Sequence, residues 1–349
     1  MATPLTIDGR AIGAEHPPYI IAEMSANHGG SLDRALAIIR LAKQAGADAI
    51  KFQAYTANSI TLDSDRPEFF VTGDDPWSGK RLFDLYQAAA TPYDWFPALF
   101  ETARNIGITP FCAPFDLDAV AMLENLDCPA YKIASCEMVD LDLIRRCAAT
   151  GKPVIVSTGM ASAEEINRAV DAASTGAGGV GLLKCTSAYP ADPAESNLAT
   201  IPDMMNTYDL PVGLSDHTLG AAIPVAAVAL GACMIEKHFI DAPEPPTADS
   251  SFSATPDVMR ALIDGCRAAW QSRGAVRYGP TPSEQANVAL RRSLYANCDI
   301  EEGHSLTGDM VASYRPAAGL PPHQLDRIIG KKANRRIAKD EPLSLDMFE

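Results

Sequence analysis

Pro211-Val-Gly-Leu-Ser-Asp-His-Thr-Leu-Gly220 and Met234-Ile-Glu-Lys-His-Phe239 decide how this chain is read. Each is a short apolar run that stops abruptly in polar residues, and each delivers one histidine, His217 and His238, just past the run. A parallel barrel strand behaves this way: its body is buried on both faces, and its C-terminal end hands side chains to the active face. Either histidine alone would read as a hydrogen-bonded core or loop residue, because a single His has no ligand spacing. Two at successive strand ends, with Asp216 and Glu236 beside them, make a candidate cation site.

Outward from these runs, β-like segments alternate with amphipathic helical patterns, which argues for a parallel α/β sheet. Eight strands are expected: Tyr19–Glu23, Ala49–Gln53, Ile108–Ala113, Ala130–Ala134, Val154–Thr158, Val180–Cys185, Val212–Ser215 and Ala232–His238. The first helix is the clearest, with Ser31 as N-cap, Leu32, Ala35, Leu36 and Ile39 on one face, and Gly46 as its stop. Further helices are expected at Asp118–Leu126, Leu141–Ala149, Ala163–Ser174, Ala221–Leu230 and Pro256–Ser272. Eight such units close most naturally into a (β/α)8 barrel. An open doubly wound sheet is the alternative, but Asn27-His-Gly-Gly30 is not its glycine fingerprint. The connection from Gln53 to Ile108, with Trp77 and Trp95, far exceeds an ordinary loop and is expected to cover the barrel mouth and select the substrate; a packing insertion is the other reading.

The expected organisation is a barrel over 1–272, a Gly/Pro-rich linker over 273–288 and a small β-rich domain over 289–349, with short strand-like pieces at Ser293–Ala296, Asp299–Gly303 and Ile337–Glu341. About sixty residues need docking to be stable, on the barrel or on a second subunit. The 29 basic and 44 acidic residues give a net charge of −15, which opposes nucleic acid and anionic membrane surfaces. The N-terminus, Met1 to Arg10, has no signal pattern, and the apolar run Ala221–Ile235, interrupted by Pro224, is shorter than the ~20 residues of a membrane span. A soluble cytoplasmic protein is expected. The eight cysteines occur singly, without a Cys-x-x-Cys pair, and read as small core residues.

Lys51, Lys132, Lys184 and Lys237 stand at or near strand ends, where a buried ammonium must be paired or face a wet cavity. With Ser135, Ser157, Thr158, Thr186 and Ser187 they would build an anion pocket for a phosphate plus a carboxylate. Pairing with a buried carboxylate such as Glu137 is the structural alternative for one or two of them. Glu23 and Glu137 could handle protons. An anion pocket, two histidines and carboxylates suit the addition of a phosphorylated C3 unit to a carbonyl.

Ile21-Ala-Glu-Met-Ser-Ala-Asn-His-Gly-Gly30, Lys51-Phe-Gln53, Tyr131-Lys-Ile-Ala-Ser135, Ser157-Thr-Gly-Met160, Gly213-Leu-Ser-Asp-His-Thr218 and Glu236-Lys-His-Phe239 resemble the sialic acid synthase family. Arg291-Arg-Ser-Leu-Tyr295, Arg315-Pro-Ala-Ala-Gly-Leu320 and Ile329-Gly330 resemble its C-terminal antifreeze-like (SAF) domain. Leu82 to Trp95 and Asp249-Ser-Ser-Phe-Ser253 are most similar to the branch that makes pseudaminic acid. The resemblance implies condensation of phosphoenolpyruvate with an open-chain amino sugar, 2,4-diacetamido-2,4,6-trideoxy-altrose in that branch, to a nine-carbon 2-keto acid and phosphate. It implies Mn²⁺ or Mg²⁺ held by His217 and His238, phosphoenolpyruvate held by Lys51, Lys132, Ser135, Ser157 and Ser215, and Glu23 and Glu137 in proton transfer or sugar orientation. Gln53, Tyr189 and Asp249 would line the sugar site, and Arg315 would reach it from the partner in a domain-swapped homodimer. The chain departs from the family pattern at Ala113, where a hydroxyl is usual, at Ser187, where the N-acetylneuraminate branch has asparagine, and at Ala317. Legionaminic and N-acetylneuraminic acid synthases are the rival readings, and a non-catalytic sugar- or ice-binding module is the rival from another class.

Overall fold

A short hairpin of two three-residue strands, β1 (Leu5–Ile7) paired antiparallel with β2 (Arg10–Ile12), precedes eight parallel strands. These are β3 (Tyr19–Glu23), β4 (Ala49–Ala54), β5 (Thr109–Pro114), β6 (Tyr131–Ile133), β7 (Val154–Ser157), β8 (Val180–Cys185), β9 (Val212–Asp216) and β10 (Met234–His238). They pair in chain order, and β10 returns to β3 to close a barrel. The expected eight strands and the barrel are therefore found, and the open sheet is not. The computed structural model describes residues 4–73 and 77–349, so the start of the N-terminal stretch and part of the acidic run before Trp77 lie outside the described residues.

Between the strands run α1 (Leu32–Ala45), α2 (Ala57–Ile60), α3 (Leu82–Ala89), α4 (Phe96–Asn105), α5 (Leu117–Glu124), α6 (Leu141–Ala149), α7 (Ala163–Ala173), α8 (Thr200–Tyr208), α9 (Ala222–Ala229) and α10 (Pro256–Ser272). The Ser31 hydroxyl accepts from Arg34 N, and Gly46 ends α1 at φ 97°, a conformation that glycine adopts without strain. The long connection resolves into two parts. Its last helix, α4, is an ordinary barrel helix whose Phe96 and Phe100 rings pack on Phe52 at 6.4 and 5.8 Å. Only the stretch before it, with α2 and α3, is additional.

That additional stretch is fastened to the loop after β3 by His28, which is 1% exposed. Its Nδ1 accepts from Gly30 N at 3.1 Å, so its proton sits on Nε2, which is 3.2 Å from Thr91 Oγ1, while the ring meets Trp95 edge-on at 5.5 Å. Burial, reinforced by Arg34 and only partly opposed by Asp249, pulls its pKa from 6.5 down to about 4. The folded state thus binds fewer protons than the unfolded state between these values. The stabilisation is complete above the unfolded value and is lost as pH falls towards 4. Between pH 7 and pH 5 the unfolding free energy should drop by about 2 kcal/mol through this group. Urea titrations of His28→Asn at both pH values should show that share of the drop removed, and an unchanged drop would refute the assignment.

The hairpin covers the barrel end opposite the strand C-termini. Leu5, Ile7 and Ile12 are at most 3% exposed, Arg10 pairs with Asp48 just before β4, and Thr109 Oγ1 donates to Asp8. The chain divides into two compact units, 1–274 and 275–349. The second has its own core of Leu294, Ile300, Leu306, Ile328, Ile337 and Leu343. In it β11 (Ser293–Ala296) pairs antiparallel with β12 (Val311–Tyr314), and the expected pieces near 300 and 337 meet in one bridge, Ile300↔Ile337.

Candidate active site

Side chains alternate between the two faces of a strand, so the residue that faces the barrel interior at a strand end fixes which others do. On β10, Glu236 and His238 face inward; on β9 Ser215 faces inward, and His217 follows just past the strand end on the same side; on β4, Lys51 and Gln53 do. Glu236, 6% exposed, is the hub of the interior. Its Oε1 lies 3.4 Å from Lys132 Nζ, 3.7 Å from Lys51 Nζ and 3.4 Å from Ser215 Oγ. Lys51 also lies 2.6 Å from Glu23 Oε2, and Gln53 Nε2 donates to Glu23 Oε1 at 2.9 Å.

The two lysines differ electrostatically. Burial pulls the Lys51 ammonium down, but Glu23 and Glu236 outweigh it and hold the pKa above the ordinary value. Burial also lowers Lys132, and there Glu236 does not compensate, because Lys51 repels it. Glu236 itself is pushed up by burial and pulled further down by Lys132 and Lys51. Glu137, in the turn after β6, is raised by burial. Glu137 Oε2, Glu236 Oε2, His238 Nδ1 and Ser157 Oγ are buried without a hydrogen-bond partner. Unpartnered buried polar atoms at one barrel end mark a place built to receive a ligand.

Ser135 and Ser187 are brought together at the end of β7 by Gly159. A Cβ there would lie 2.4 Å from Ser187 Oγ and 2.8 Å from Ser135 Oγ, so the backbone passes where no side chain fits. Ala113 is 1% exposed and offers no hydroxyl. Lys184 and Lys237 are not in this pocket. Lys237 Nζ is 2.5 Å from Asp216 Oδ2 and Lys184 Nζ is 2.7 Å from Thr186 Oγ1, both on the outer face of the strands. Parity requires this: if His238 faces inward, its neighbour cannot.

The imidazoles of His217 and His238 stand 5.4 Å apart, centre to centre. His217 Nδ1 is 2.8 Å from the Thr186 carbonyl and so must carry the proton, which leaves Nε2 as a free lone pair. His238 Nδ1 is 3.6 Å from Asp249 Oδ2, and Asp249 is anchored by Ala26 N at 3.3 Å. Among the described residues no three acidic, His or Cys side chains form a ready-made cage. The donors nearest to such a role are the two imidazoles, with Glu236 Oε2 unpartnered in the same interior. Tyr189 leans on His217 at 4.4 Å between ring centres.

Sequence reasoning placed Glu236 beside the histidines without a role, and it named Trp77 only as part of the long connection and Phe252 only as part of a motif, without joining either to Tyr189. The signal for Glu236 was its parity with His238. The two aromatics lie in irregular segments whose spacing carries no such signal. Five apolar side chains, Leu62, Leu117, Val139, Met160 and Leu219, stand 52–71% exposed on segments that follow barrel strands. Arg315 lies in the second unit, on a loop held by Tyr295 Oη and Ser293 Oγ, which donate to the Pro316 carbonyl at 2.7 and 2.8 Å.

Residues 38–278 match the NeuB family and residues 291–349 match the SAF domain. The chain is 42% identical to pseudaminic acid synthase of Campylobacter jejuni over 95% of this chain and 96% of that protein. It is 38% identical to pseudaminic acid synthase of Helicobacter pylori over 95% and 98%. The crystal structure of N-acetylneuraminic acid synthetase from Leptospira borgpetersenii superposes with a TM-score of 0.73 at 33% identity, covering 82% of this chain and 96% of that one.

Proposed function

Because this chain belongs to the NeuB family, we propose that it condenses phosphoenolpyruvate with open-chain 2,4-diacetamido-2,4,6-trideoxy-altrose, giving pseudaminic acid and phosphate. The observation that carries the reaction class is the pair of interior ammoniums, Lys51 and Lys132, set around Glu236 beside two imidazoles. The identity of 42% to a pseudaminic acid synthase supports the choice of sugar.

In this reading Lys51, Lys132, Ser135, Ser157 and Ser215 hold the phosphate and carboxylate of phosphoenolpyruvate, replacing water with charge-assisted hydrogen bonds. Gln53, Tyr189 and Asp249 line the sugar site. His217 and His238 would hold Mn²⁺ or Mg²⁺ with Glu236 facing it. Such a cation, when bound, supplies a Lewis acid that polarises the sugar aldehyde. C3 of phosphoenolpyruvate then bonds to the aldehyde carbon, water adds at C2, and the C2–O bond breaks to release phosphate. Glu137, raised by burial, is suited to give a proton to the new alkoxide, and Glu23, paired with Lys51, to orient or deprotonate the water. Phosphate release should be measured with phosphoenolpyruvate, Mn²⁺ or Mg²⁺, and the altrose, legionaminate-type and N-acetylmannosamine sugars in turn. Fastest release with the altrose is expected. A different preferred sugar would reassign the branch, and no release with any would remove the enzymatic reading.

The partner proposed is a second copy, whose SAF domain caps the mouth and brings Arg315 to an acetamido oxygen. The exposed apolar side chains around the strand ends support a covered mouth. Mixing His217→Ala with Arg315→Ala chains under subunit exchange should restore about a quarter of wild-type activity, since half of the mixed dimers' sites would be intact. A mixture that stays inactive despite proven exchange would refute capping in trans.

A further inference from the structure

Three aromatic rings from three separate segments converge over the imidazole pair. Phe252, from the segment after β10, lies 5.0 Å from the His238 ring and is 2% exposed. Tyr189, from the segment after β8, lies 5.1 Å from Phe252. Trp77, from the additional stretch between β4 and α4, completes the group at 5.4 Å from Tyr189 and 6.1 Å from Phe252. Its indole N–H donates to the Ala248 carbonyl at 3.0 Å, which fixes the ring and uses its only polar atom. Trp77 remains half-exposed, so the surface it offers is an aromatic face with no hydrogen-bonding capacity.

The indole face of Trp77, its N–H already used, does not recognise a hydroxyl. A sugar hydroxyl pressed against it would lose its water without gaining a partner, whereas a methyl group would gain contact and lose nothing. We propose that Trp77 is a specificity-determining residue, which selects sugars by a methyl group laid on its indole face, a face held in place by Tyr189 and the buried Phe252. This rests on the reading of the site as one that takes an amino sugar. The methyl has two sources in the proposed substrate, an acetamido group and the terminal carbon of a 6-deoxy chain, and the chemistry of that face is the same for both.

The test is a comparison of wild type, Trp77→Ala and Trp77→Phe on three sugars with phosphoenolpyruvate: the acetamido 6-deoxy sugar, its N-formyl analogue and its 6-hydroxy analogue. A single methyl in an apolar pocket discriminates about tenfold to two-hundredfold. In wild type, whichever analogue lacks the contacted methyl should show a kcat/KM lower by about tenfold or more. In Trp77→Ala that ratio should fall towards one through a raised KM for the parent sugar, while the KM for phosphoenolpyruvate and the melting temperature stay put and Trp77→Phe restores most of the discrimination. Retained discrimination in Trp77→Ala, or a loss that follows a lower melting temperature or a changed phosphoenolpyruvate KM, would overturn the proposal and leave the reaction untouched. If wild type releases no phosphate with any sugar, the reaction is misread. Quenching of tryptophan emission by the same sugars then decides the inference: it must be present in wild type and absent in Trp77→Phe, and any other pattern overturns it.

Discussion

Alanine at His217 or His238 is expected to reduce turnover by more than about a thousandfold with little change in stability. Each ring is held at a strand end, His217 by the Thr186 carbonyl and His238 beside Asp249. In the proposed reading, removing one deletes one of the two imidazoles that would hold the cation. The side chains stand at strand ends at the barrel mouth and are not part of the hydrophobic core, so the melting temperature should move little. Chelation should silence wild type, with activity restored by Mn²⁺ or Mg²⁺. Wild-type turnover in either variant, or indifference to chelation, would remove the cation from the reaction.

The second large effect concerns Glu236. Replacing it by alanine leaves the Lys132 ammonium without a carboxylate while Lys51 still repels it. Stripping one partner from a buried charged group costs about 3–5 kcal/mol. Lys132 would shed its proton to limit that cost, and so bind an anionic substrate less tightly. Glu236→Ala is therefore expected to lose about 3 kcal/mol in urea unfolding and to raise the KM for phosphoenolpyruvate at least tenfold. Glu236→Gln keeps the shape and should lose less stability. A change below about 1 kcal/mol in the alanine variant would mean that the charges are not coupled as their distances indicate.

Much of this was legible in the residues alone. The barrel strands announce themselves because the body of a strand buried on both faces is apolar, as in Val154-Ile-Val156, and because its polar end must face the mouth. The hairpin Leu5–Ile12 is too short for any periodicity to register. Helix α8 was missed although Ile201, Met204, Met205 and Tyr208 repeat at helical spacing, because the polar run before it reads as loop. Residue type makes Lys184 and Lys237 candidates for the anion pocket, with carboxylate pairing as the alternative for one or two lysines; two-residue alternation sends both to the other face, and Lys237 pairs with Asp216. The aromatic group was beyond reach, since its three members lie on irregular segments that only the closed barrel brings together.

Closure has a consequence for how the protein is made. The seam that completes the barrel joins β10 to β3, and so joins residues more than two hundred positions apart, as in the pairing His238↔Glu23. On a ribosome the first seven barrel strands emerge with an open edge, which must wait, exposed to wrong pairing, until β10 arrives. The imidazoles stand at the ends of the last two barrel strands, His217 just past β9 and His238 closing β10. A nascent chain thus cannot assemble the imidazole pair early, and the site comes into being only when the ring is shut.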